Sequence, residues 1–358
     1  MARVALATGL GLFLATPGGR RAGARERPST VEVPPPVSPI VVERETIRMG
    51  TRLRIRVSAS SRHAGIEAID RAFEEVARLE GVLSSWRRES AISRLNRAAP
   101  GTAVRIPAEL GSMLARAFRW RRATDGAFDP AIGALVDAWD LRGRGRHPSP
   151  REIEAALAAS GSGTVRVTAG GTEAVRAEGR AWIDAGGFGK GAALDAARRV
   201  LRAADARGGV LDFGGQVLAF GNAGRGRGVV VGIADPRKRD RPVATLRLRD
   251  ASAATSAQSE RFVDVDGERL GHVLDPRSGR PVPAWGGVTV VADDPFVADV
   301  LSTALLVLGP EDGLAWARAH PDVGALFLIA SEKGLQARWS ESLDGILELG
   351  PDVERGGR

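Results

Sequence analysis

Two patterns of apolar residues open the folded part of the chain. Apolar and polar residues alternate over residues 47–57, as they do in a strand with one buried face. Over residues 65–83, apolar residues recur at the spacing that places them on one face of an α-helix: Ile66, Ile69, Phe73, Val76, Leu79 and Leu83. The sequence therefore predicts a domain that starts near Val41 with a strand followed by an amphipathic helix.

Three further helices are predicted between residues 107 and 159. The first begins at Pro107, and apolar residues between positions 132 and 139 mark the second. The third begins at Ser149 and Pro150, which form a cap and first-turn pair, and ends near Ala159. A group of helices thus separates the opening strand from the second half of the chain.

The second half of the chain is rich in short β-branched runs. Strands are predicted at residues 165–167, 181–185, 209–213, 229–233, 245–248, 288–292 and 325–330. Helices are predicted at residues 190–206, 295–308 and 311–320. The strands far outnumber the crossover helices that a parallel sheet would need, so we predict a single α+β domain with largely antiparallel sheets packed against helices.

The N-terminus resembles an export signal. Arg3 precedes an apolar run over residues 4–15, and Pro17, Gly18 and Gly19 follow it. Residues 1–24 are therefore predicted to be a signal peptide or a signal anchor, and residues 25–40, which hold five prolines, an extended linker. We expect the domain to span residues 41–350, with a disordered tail at 351–358. The expected location is periplasmic or exported, with attachment to the inner membrane if the first segment is an uncleaved anchor.

The composition excludes several classes of function. The formal net charge is +8, but five arginines against one glutamate in the first thirty residues account for half of it. Because no basic stripe with interleaved aromatic residues follows, we expect no nucleic-acid partner. The chain has no cysteine, which excludes disulfides, thiolate metal sites, a cysteine nucleophile and a lipid-anchor cysteine.

Asp299 and Thr303 are the first candidates for chemistry. Residues four apart lie on one face of a helix, so this carboxylate and hydroxyl converge at a distance that suits a hard cation such as Mg²⁺. The alternative is a solvated aspartate and a threonine that donates to its own helix. The spacing alone favours that alternative.

A glycine-rich segment is the second candidate. Residues 184–195 read DAGGFGKGAALD, in which Asp184 ends an apolar run and Lys190 stands at the start of a helix. Such a turn exposes backbone amides that can hold a phosphate. The segment matches neither the Walker loop nor the G-x-G-x-x-G spacing, and taken alone it is structural as often as functional.

His272 is the third candidate, because among the four histidines it alone lies beside a possible functional segment, HVLDPRSGRPV. A surface or capping histidine is the alternative. The sequence contains neither the G-x-S-x-G motif of serine hydrolases nor the H-E-x-x-H motif of zinc proteases.

Taken together, these segments resemble the FAD:protein FMN transferases, the ApbE family. The blocks that carry the resemblance occur in the family's order: MGTRL at 49–53, LSSWRRESAISRLN at 83–96, GAFDPAIGALVDAW at 126–139, DAGGFGKGAALD at 184–195, HVLDPRSGRPV at 272–282 and ADVLSTALLVLG at 298–309. With their flanks they cover practically the whole predicted domain. The resemblance implies a T-fold-related architecture and an enzyme with Mg²⁺ as cofactor and FAD as substrate.

The implied reaction joins FMN through a phosphoester to a Thr or Ser of an acceptor flavoprotein and releases AMP. Two alternatives remain open at this point. Some members of the family mainly hydrolyse FAD to FMN and AMP. A periplasmic protein that binds FAD without turning it over is the second alternative.

The resemblance also implies roles for individual residues. The metal ligands would be the side chains of Asp299 and Thr303 and the backbone carbonyl of Gly187. His272 would be a base or phosphate ligand, so that His272 and Asp299 form the catalytic pair. The implied FAD contacts are Met49, Trp86, Ala127, Phe128, Asp129, Asp184, Lys190, Val273 and Ser302.

Two positions depart from the family pattern. Trp86 replaces a tyrosine that is common there; its larger ring keeps the ability to stack on a planar ligand but lacks the phenol hydroxyl. TSAQSERF at 255–262 carries Ala257 where glycine is usual, which is expected to alter a loop beside the active site.

Overall fold

The computed structural model of the chain describes residues 40–356 except residues 162, 178, 205, 261 and 333. The predicted signal segment and linker lie almost entirely outside these residues. Within the described part, none of the helices is long and apolar enough to cross a bilayer.

The helices are α1 (Arg62–Leu83), α2 (Ala91–Arg97), α3 (Ala108–Ala123), α4 (Gly133–Ala138), α5 (Pro150–Ala158), α6 (Gly189–Ala203) and α7 (Pro295–Arg318).

Nineteen short strands complete the described fold. They are β1 (Ile40–Arg48), β2 (Thr51–Ala59), β3 (Ala103–Arg105), β4 (Val165–Val167), β5 (Glu173–Arg176), β6 (Gly208–Phe213), β7 (Gln216–Gly221), β8 (Val229–Ala234), β9 (Pro242–Leu248), β10 (Ser252–Ala257), β11 (Phe262–Val265), β12 (Glu268–Gly271), β13 (Leu274–Asp275), β14 (Arg280–Pro281), β15 (Gly286–Ala292), β16 (Gly324–Ser331), β17 (Gly334–Trp339), β18 (Leu347–Leu349) and β19 (Val353–Arg355).

A nine-stranded sheet organises the fold, in the order β1-β2-β6-β7-β10-β15-β16-β17-β19. Every neighbouring pair in this sheet is antiparallel except β17 and β19. Smaller sheets have the orders β18-β9-β8 and β3-β5-β4, and two hairpins, β11-β12 and β13-β14, complete the set. The predicted α+β fold with largely antiparallel pairing is confirmed.

Both faces of the large sheet are buried at its central strands, which explains the continuous apolar runs there. Along β16, Ala325 and Phe327 enter the core under the helices, whereas Leu326 and Leu328 enter a second core. Helices α1, α6 and α7 cover the first face. The β18-β9-β8 sheet covers the second. The functional segments on α6 and α7 therefore lie on the first face.

The opening strand is in fact a hairpin. Residues 47–57 were predicted to form one strand, but β1 ends at Arg48 and pairs with Thr51 at the start of β2. The turn consists of Met49 and Gly50, whose φ angles of 46° and 73° are left-handed. The alternation of apolar residues continues through the turn, so the pattern alone did not show the reversal.

The strand predicted at residues 181–185 is wrong. The segment forms no strand, because its backbone bonds go to a side chain and a loop instead of a neighbouring strand. Ile183 donates its N–H to Asn96 Oδ1 at 2.8 Å and accepts from Asn96 Nδ2 at 2.9 Å, and the N–H of Asp184 donates to Pro130 O. Asn96 thus replaces a strand partner just before the glycine-rich turn.

The prediction of a disordered tail at residues 351–358 is wrong for its central part. Val353–Arg355 forms β19, which runs parallel to β17 with Val353 opposite Leu335. The side chain of Val353 is buried in the second core, and this burial holds the segment on the sheet edge. A run of three residues is too short for a periodicity argument to detect.

The start of α5 provides a pH-dependent prediction. Ser149 and Glu152 form a capping box, and Arg146 donates to Glu152 Oε1 at 2.8 Å. The backbone N–H of Ser149, followed by Arg146, lowers the pKa of Glu152 to about 2 from 4.5. Because the pKa is lower in the folded state, the stabilisation exists above the unfolded pKa and disappears as the pH falls toward about 2.

We therefore expect Glu152→Ala to lower the free energy of unfolding near neutral pH and to lose this effect progressively between about pH 4.5 and about pH 2. Urea unfolding at a series of pH values measures it. Glu154→Ala on the same helix is the control, because Glu154 is exposed and outside the capping box. A difference from wild type that does not vary with pH would contradict this role for Glu152.

Candidate active site

The site begins where the backbones of α6 and α7 touch. A Cβ atom at Gly191 would lie 2.3 Å from Pro295 O and 2.7 Å from the Cα of Phe296, so no larger residue fits there. This approach brings the first turn of α6 against the first turns of α7. The lysine predicted to hold phosphate and the aspartate predicted to hold metal are therefore neighbours.

Asp299 lies at the N-terminal end of α6. Its carboxylate is buried and accepts from Lys190 Nζ through Oδ1 and from the Gly191 N–H through Oδ2, both at 2.9 Å. The residue before α6, Phe188, makes no side-chain cap, so Asp299 caps this helix from another element. An anion thus sits at the positive end of the helix dipole, as a phosphate would.

Thr303 and Gly187 lie against each other. A Cβ atom at Gly187 would be 3.2 Å from Thr303 Oγ1 and 2.9 Å from Phe128 Cε2. Thr303 Oγ1 also lies 3.4 Å from Asp299 O, the local bond that the alternative interpretation anticipates, though at this length the bond is weak. The structure therefore brings all three predicted metal ligands to the meeting point of the glycine-rich turn and α7.

These residues fit a hard divalent cation. A carboxylate offers about four lone-pair positions, of which Lys190 and Gly191 use two of those on Asp299. A hydroxyl and a carbonyl are the other oxygen donors that Mg²⁺ accepts. Among the described residues no group of three or more His, Cys, Asp or Glu converges as a metal site, and the predicted set contains only one such residue. Mg²⁺ therefore stays a prediction.

Ser302 connects this cluster to the large sheet. Its hydroxyl donates to Asp299 O at 2.9 Å and shares a hydrogen bond of the same length with Ser256 on β10. Both of its contacts are inside the fold, since Ser302 is buried. The predicted FAD contact of Ser302 stays untested, but the residue fixes the turn of α7 that carries Asp299.

Asp184 and Trp86 are joined by an arginine that the sequence did not indicate. Asp184 accepts from the Gly186 N–H at 2.7 Å and from Arg142 at 2.9 Å. The same guanidinium lies 4.7 Å from the centre of the Trp86 ring, and Trp86 is 72% exposed. Arg142 stands in an arginine- and glycine-rich loop, where no pattern distinguishes it from its neighbours.

Asp129 has an internal role. Its carboxylate is buried and accepts from Arg121 Nε at 2.7 Å and from the Ala131 N–H at 2.8 Å. Burial raises the pKa of Asp129, and the bonds from Arg121 and Ala131 oppose that rise. This pairing holds the loop that contains the buried residues Ala127 and Phe128. A contact of these three residues with FAD stays a prediction.

A buried glutamine holds the segment that contains His272. Gln258 accepts from the Val273 N–H at 3.0 Å and donates to Val273 O at 2.8 Å and to Val282 O at 2.7 Å. Gln258 lies two residues after Ser256, so the His272 segment and the Asp299 turn are tied to one stretch of chain. Gln258 directly follows Ala257 in the TSAQSERF block. The role of His272 as a base stays a prediction.

Met49 occupies the β1–β2 turn, partly buried against the main core. A left-handed backbone is strained for methionine, and such residues persist where surrounding structure fixes them, commonly at binding sites. The start of β2, beside this turn, is joined to the β6–β7 turn, because Gly214 donates its N–H to Arg52 O at 3.0 Å. The predicted contact of Met49 with FAD is not tested by these features.

The fold and the site together define an α+β protein in which a lysine, a buried carboxylate and a glycine-rich turn surround one helix end. A profile of the ApbE family matches residues 49–327. The chain belongs to this family. An FAD:protein FMN transferase of Treponema pallidum is 32% identical over 307 residues, covering 81% of this chain and 85% of that protein.

Solved structures that resemble this chain are also ApbE proteins. The flavinyl transferase ApbE of Pseudomonas stutzeri, in its apo form, is 26% identical with a TM-score of 0.76, covering 87% of this chain and 98% of its own. The ApbE protein of Thermotoga maritima is 29% identical with a TM-score of 0.77, covering 85% and 98%. The predicted family and architecture are confirmed.

Proposed function

We propose that this protein is a Mg²⁺-dependent FAD:protein FMN transferase. The observation that carries the proposal is the meeting of Asp299, Lys190 and the glycine-rich turn at the N-terminus of α6. The names of its relatives support the same activity. The acceptor is proposed to be a flavoprotein with a Thr or Ser in a flavinylation motif.

In the proposed reaction the acceptor hydroxyl oxygen bonds to the phosphorus of the FMN half of FAD. The P–O bond to the AMP half breaks, the hydroxyl loses its proton, and AMP leaves with the bridging oxygen. Phosphoryl transfer depends mainly on placing these groups and neutralising charge on the phosphate oxygens. The residues of this site are suited to both tasks.

Lys190 is proposed to neutralise part of the diphosphate charge, from a position fixed by its ion pair with Asp299. Its side chain is about one-third exposed, so it can reach a ligand while the carboxylate beneath it stays buried. Asp299, Thr303 and the Gly187 carbonyl would hold the metal. Bound there, Mg²⁺ would supply positive charge to the phosphate oxygens. His272 is proposed to accept the proton of the hydroxyl.

Hydrolysis of FAD to FMN and AMP is the second candidate activity. It uses the same residues, with water in place of the acceptor hydroxyl, so the site geometry supports both. A protein that stores FAD without turnover is the third candidate, and the absence of AMP release would distinguish it from both enzymes.

The location proposed is the periplasm or another exported compartment, with the N-terminal segment as signal or membrane anchor. The support is the charged and apolar pattern of residues 1–24. Comparing the mass of the N-terminus in secreted and membrane fractions of an expressing bacterium tests this proposal.

The activity test incubates the purified full chain with FAD, Mg²⁺ and an acceptor domain from a flavoprotein of the same organism. The expected result is an acceptor mass increased by one FMN, with an equal amount of AMP. An acceptor whose target Thr is replaced by Ala is the control. AMP release without any acceptor modification would favour hydrolysis, and retention of intact FAD would favour storage.

A further inference from the structure

We propose that Arg142 is a positioning residue that orients Trp86 as a stacking surface for a planar ring of the dinucleotide and ties that surface to the phosphate-binding turn. The inference rests on the proposed function for the identity of the ligand. It is carried by contacts of four side chains, Trp182, Arg142, Trp86 and Asp184, which we call the Arg142 bridge.

The bridge is anchored at Trp182. A Cβ at Gly133 would lie 2.1 Å from Trp182 Cδ2, so the indole packs directly on the backbone at the start of α4. Its Nε1 also donates to Asp137 Oδ2 at 2.7 Å. These contacts fix Trp182 on the helical part of the domain, where it serves as a base for the arginine.

Arg142 stacks on this base. The carbon of its guanidinium lies 4.2 Å from the centre of the Trp182 ring and 4.7 Å from that of Trp86. Contacts of a cation with aromatic faces at this range are attractive, and arginine makes them with a flat group that also keeps its hydrogen bonds. One side chain therefore connects a fixed indole to an exposed one.

The hydrogen bonds of Arg142 connect the segment that contains Trp86 to the glycine-rich turn. One terminal nitrogen donates to Ser85 Oγ at 2.7 Å and to Asp184 Oδ2 at 2.9 Å. Ser85 immediately precedes Trp86, and Asp184 begins the turn that contains Gly187 and Lys190. The distance between the aromatic surface and the phosphate-binding turn is thus set by Arg142.

Most of the Trp86 side chain faces solvent beside Arg142. Trp86 follows the end of α1 and is 72% exposed, which is unusual for the largest apolar side chain. An exposed ring in several rotamers loses freedom when a ligand stacks on it, whereas a ring already held by Arg142 loses less. We therefore expect Arg142 to act on ligand affinity through Trp86.

The first test is equilibrium binding of FAD, measured by calorimetry in EDTA so that no turnover occurs. Arg142→Ala is expected to raise the Kd for FAD about 10-fold, because the ligand must then order the Trp86 ring itself. In a protein that already carries Trp86→Ala, Arg142→Ala should change the Kd for FAD by less than about twofold, because the residue through which Arg142 acts is absent. Equal effects in both backgrounds would overturn the proposal.

A second comparison separates stacking from charge. Arg142→Lys keeps the positive charge beside Asp184 but lacks the planar group, so its Kd is expected to stay within about threefold of that of Arg142→Ala. Full recovery of binding by lysine would overturn the stacking role. Arg142→Met keeps the apolar stem and replaces Arg142→Ala if that variant unfolds.

FMN and ADP identify which ring of the dinucleotide is stacked. If it is the isoalloxazine, Arg142→Ala weakens FMN and leaves ADP unchanged; if it is adenine, the pattern is reversed. Either pattern supports the proposal, whereas equal weakening of both ligands would show a phosphate effect and overturn it. Arg87→Ala is the matched control, because Arg87 is nearby and exposed, with a 3.6 Å ion pair to Glu80.

The kinetic signature distinguishes this inference from the proposed function. In FMN transfer, Arg142→Ala is expected to raise KM for FAD about 10-fold while kcat changes by less than about twofold. If wild-type protein transfers no FMN but the binding pattern holds, the proposed function fails and the role of Arg142 stands. If transfer occurs and Arg142→Ala binds FAD like wild type, the role of Arg142 fails alone.

Discussion

Asp299→Ala is expected to reduce the rate of FMN transfer by at least about a thousandfold, the largest effect of any single change in this chain. The carboxylate is the only charged group among the three predicted metal ligands. It also holds Lys190 in place and caps α6 through Gly191. Its removal would therefore disturb both positive groups proposed to face the diphosphate, Lys190 and the predicted Mg²⁺.

The measurement is kcat/KM for FAD over a range of Mg²⁺ concentrations, with loss expected at all of them. Asp299→Asn is the matched variant, because the amide oxygen still accepts from Gly191 and the side chain keeps its shape while the charge is lost. If Asp299→Asn folds with a melting temperature near that of wild type yet is as inactive as Asp299→Ala, the charge is responsible. Activity of either variant within about tenfold of wild type would contradict the assignment.

The sequence predicted the long helices and the fold class well because their signals are local. In α1, buried residues such as Ile69 and Val76 follow the helical period, and in α5 the Ser149–Glu152 pair marks the start of the helix. The helices predicted at 295–308 and 311–320 are the two halves of α7, which is interrupted at Gly309. In each case, residues within the helix itself determine where it forms, begins or is interrupted.

Elements that depend on distant partners were missed for the same reason. Residues 181–185 have the composition of a strand, but Asn96, far away in sequence, satisfies the backbone of Ile183. Strand β19 exists because Val353 finds a buried place beside β17. Neither partner can be identified from the segment itself.

The candidate site shows the same division. The helical spacing of Asp299 and Thr303 placed both residues on one face of a helix, and only the family resemblance added Gly187 and Lys190 as their neighbours; the role of these residues as ligands stays a prediction. Arg142 and Gln258 carry no such signal, since each acts through contacts to residues more than ten positions away in sequence. Supporting residues of this kind appear only when the chain is folded, because their side chains have no required spacing.

Thr303→Ala is expected to lower the rate of FMN transfer by about 10- to 100-fold at low Mg²⁺ and to recover much of it when Mg²⁺ is in excess. The change removes one uncharged oxygen from the predicted metal site and leaves Asp299 and the Gly187 carbonyl in place. A weaker metal site can be filled by mass action, so the defect should appear as a higher Mg²⁺ requirement. Little stability should be lost, since the hydroxyl lies 3.4 Å from its helix acceptor.

Two variants at the same position complete this test. Thr303→Ser keeps the hydroxyl and is expected to need nearly as little Mg²⁺ as wild type, whereas Thr303→Val keeps the shape and should behave like Thr303→Ala. Rates measured over a Mg²⁺ titration distinguish them. A loss in Thr303→Ala that no Mg²⁺ concentration relieves would mean that the hydroxyl contacts the substrate or fixes α7, and that the cation is held by other groups. Excess Mg²⁺ is expected to restore the activity of Thr303→Ala but not that of Asp299→Ala. The two variants together therefore distinguish the charged ligand from the neutral one.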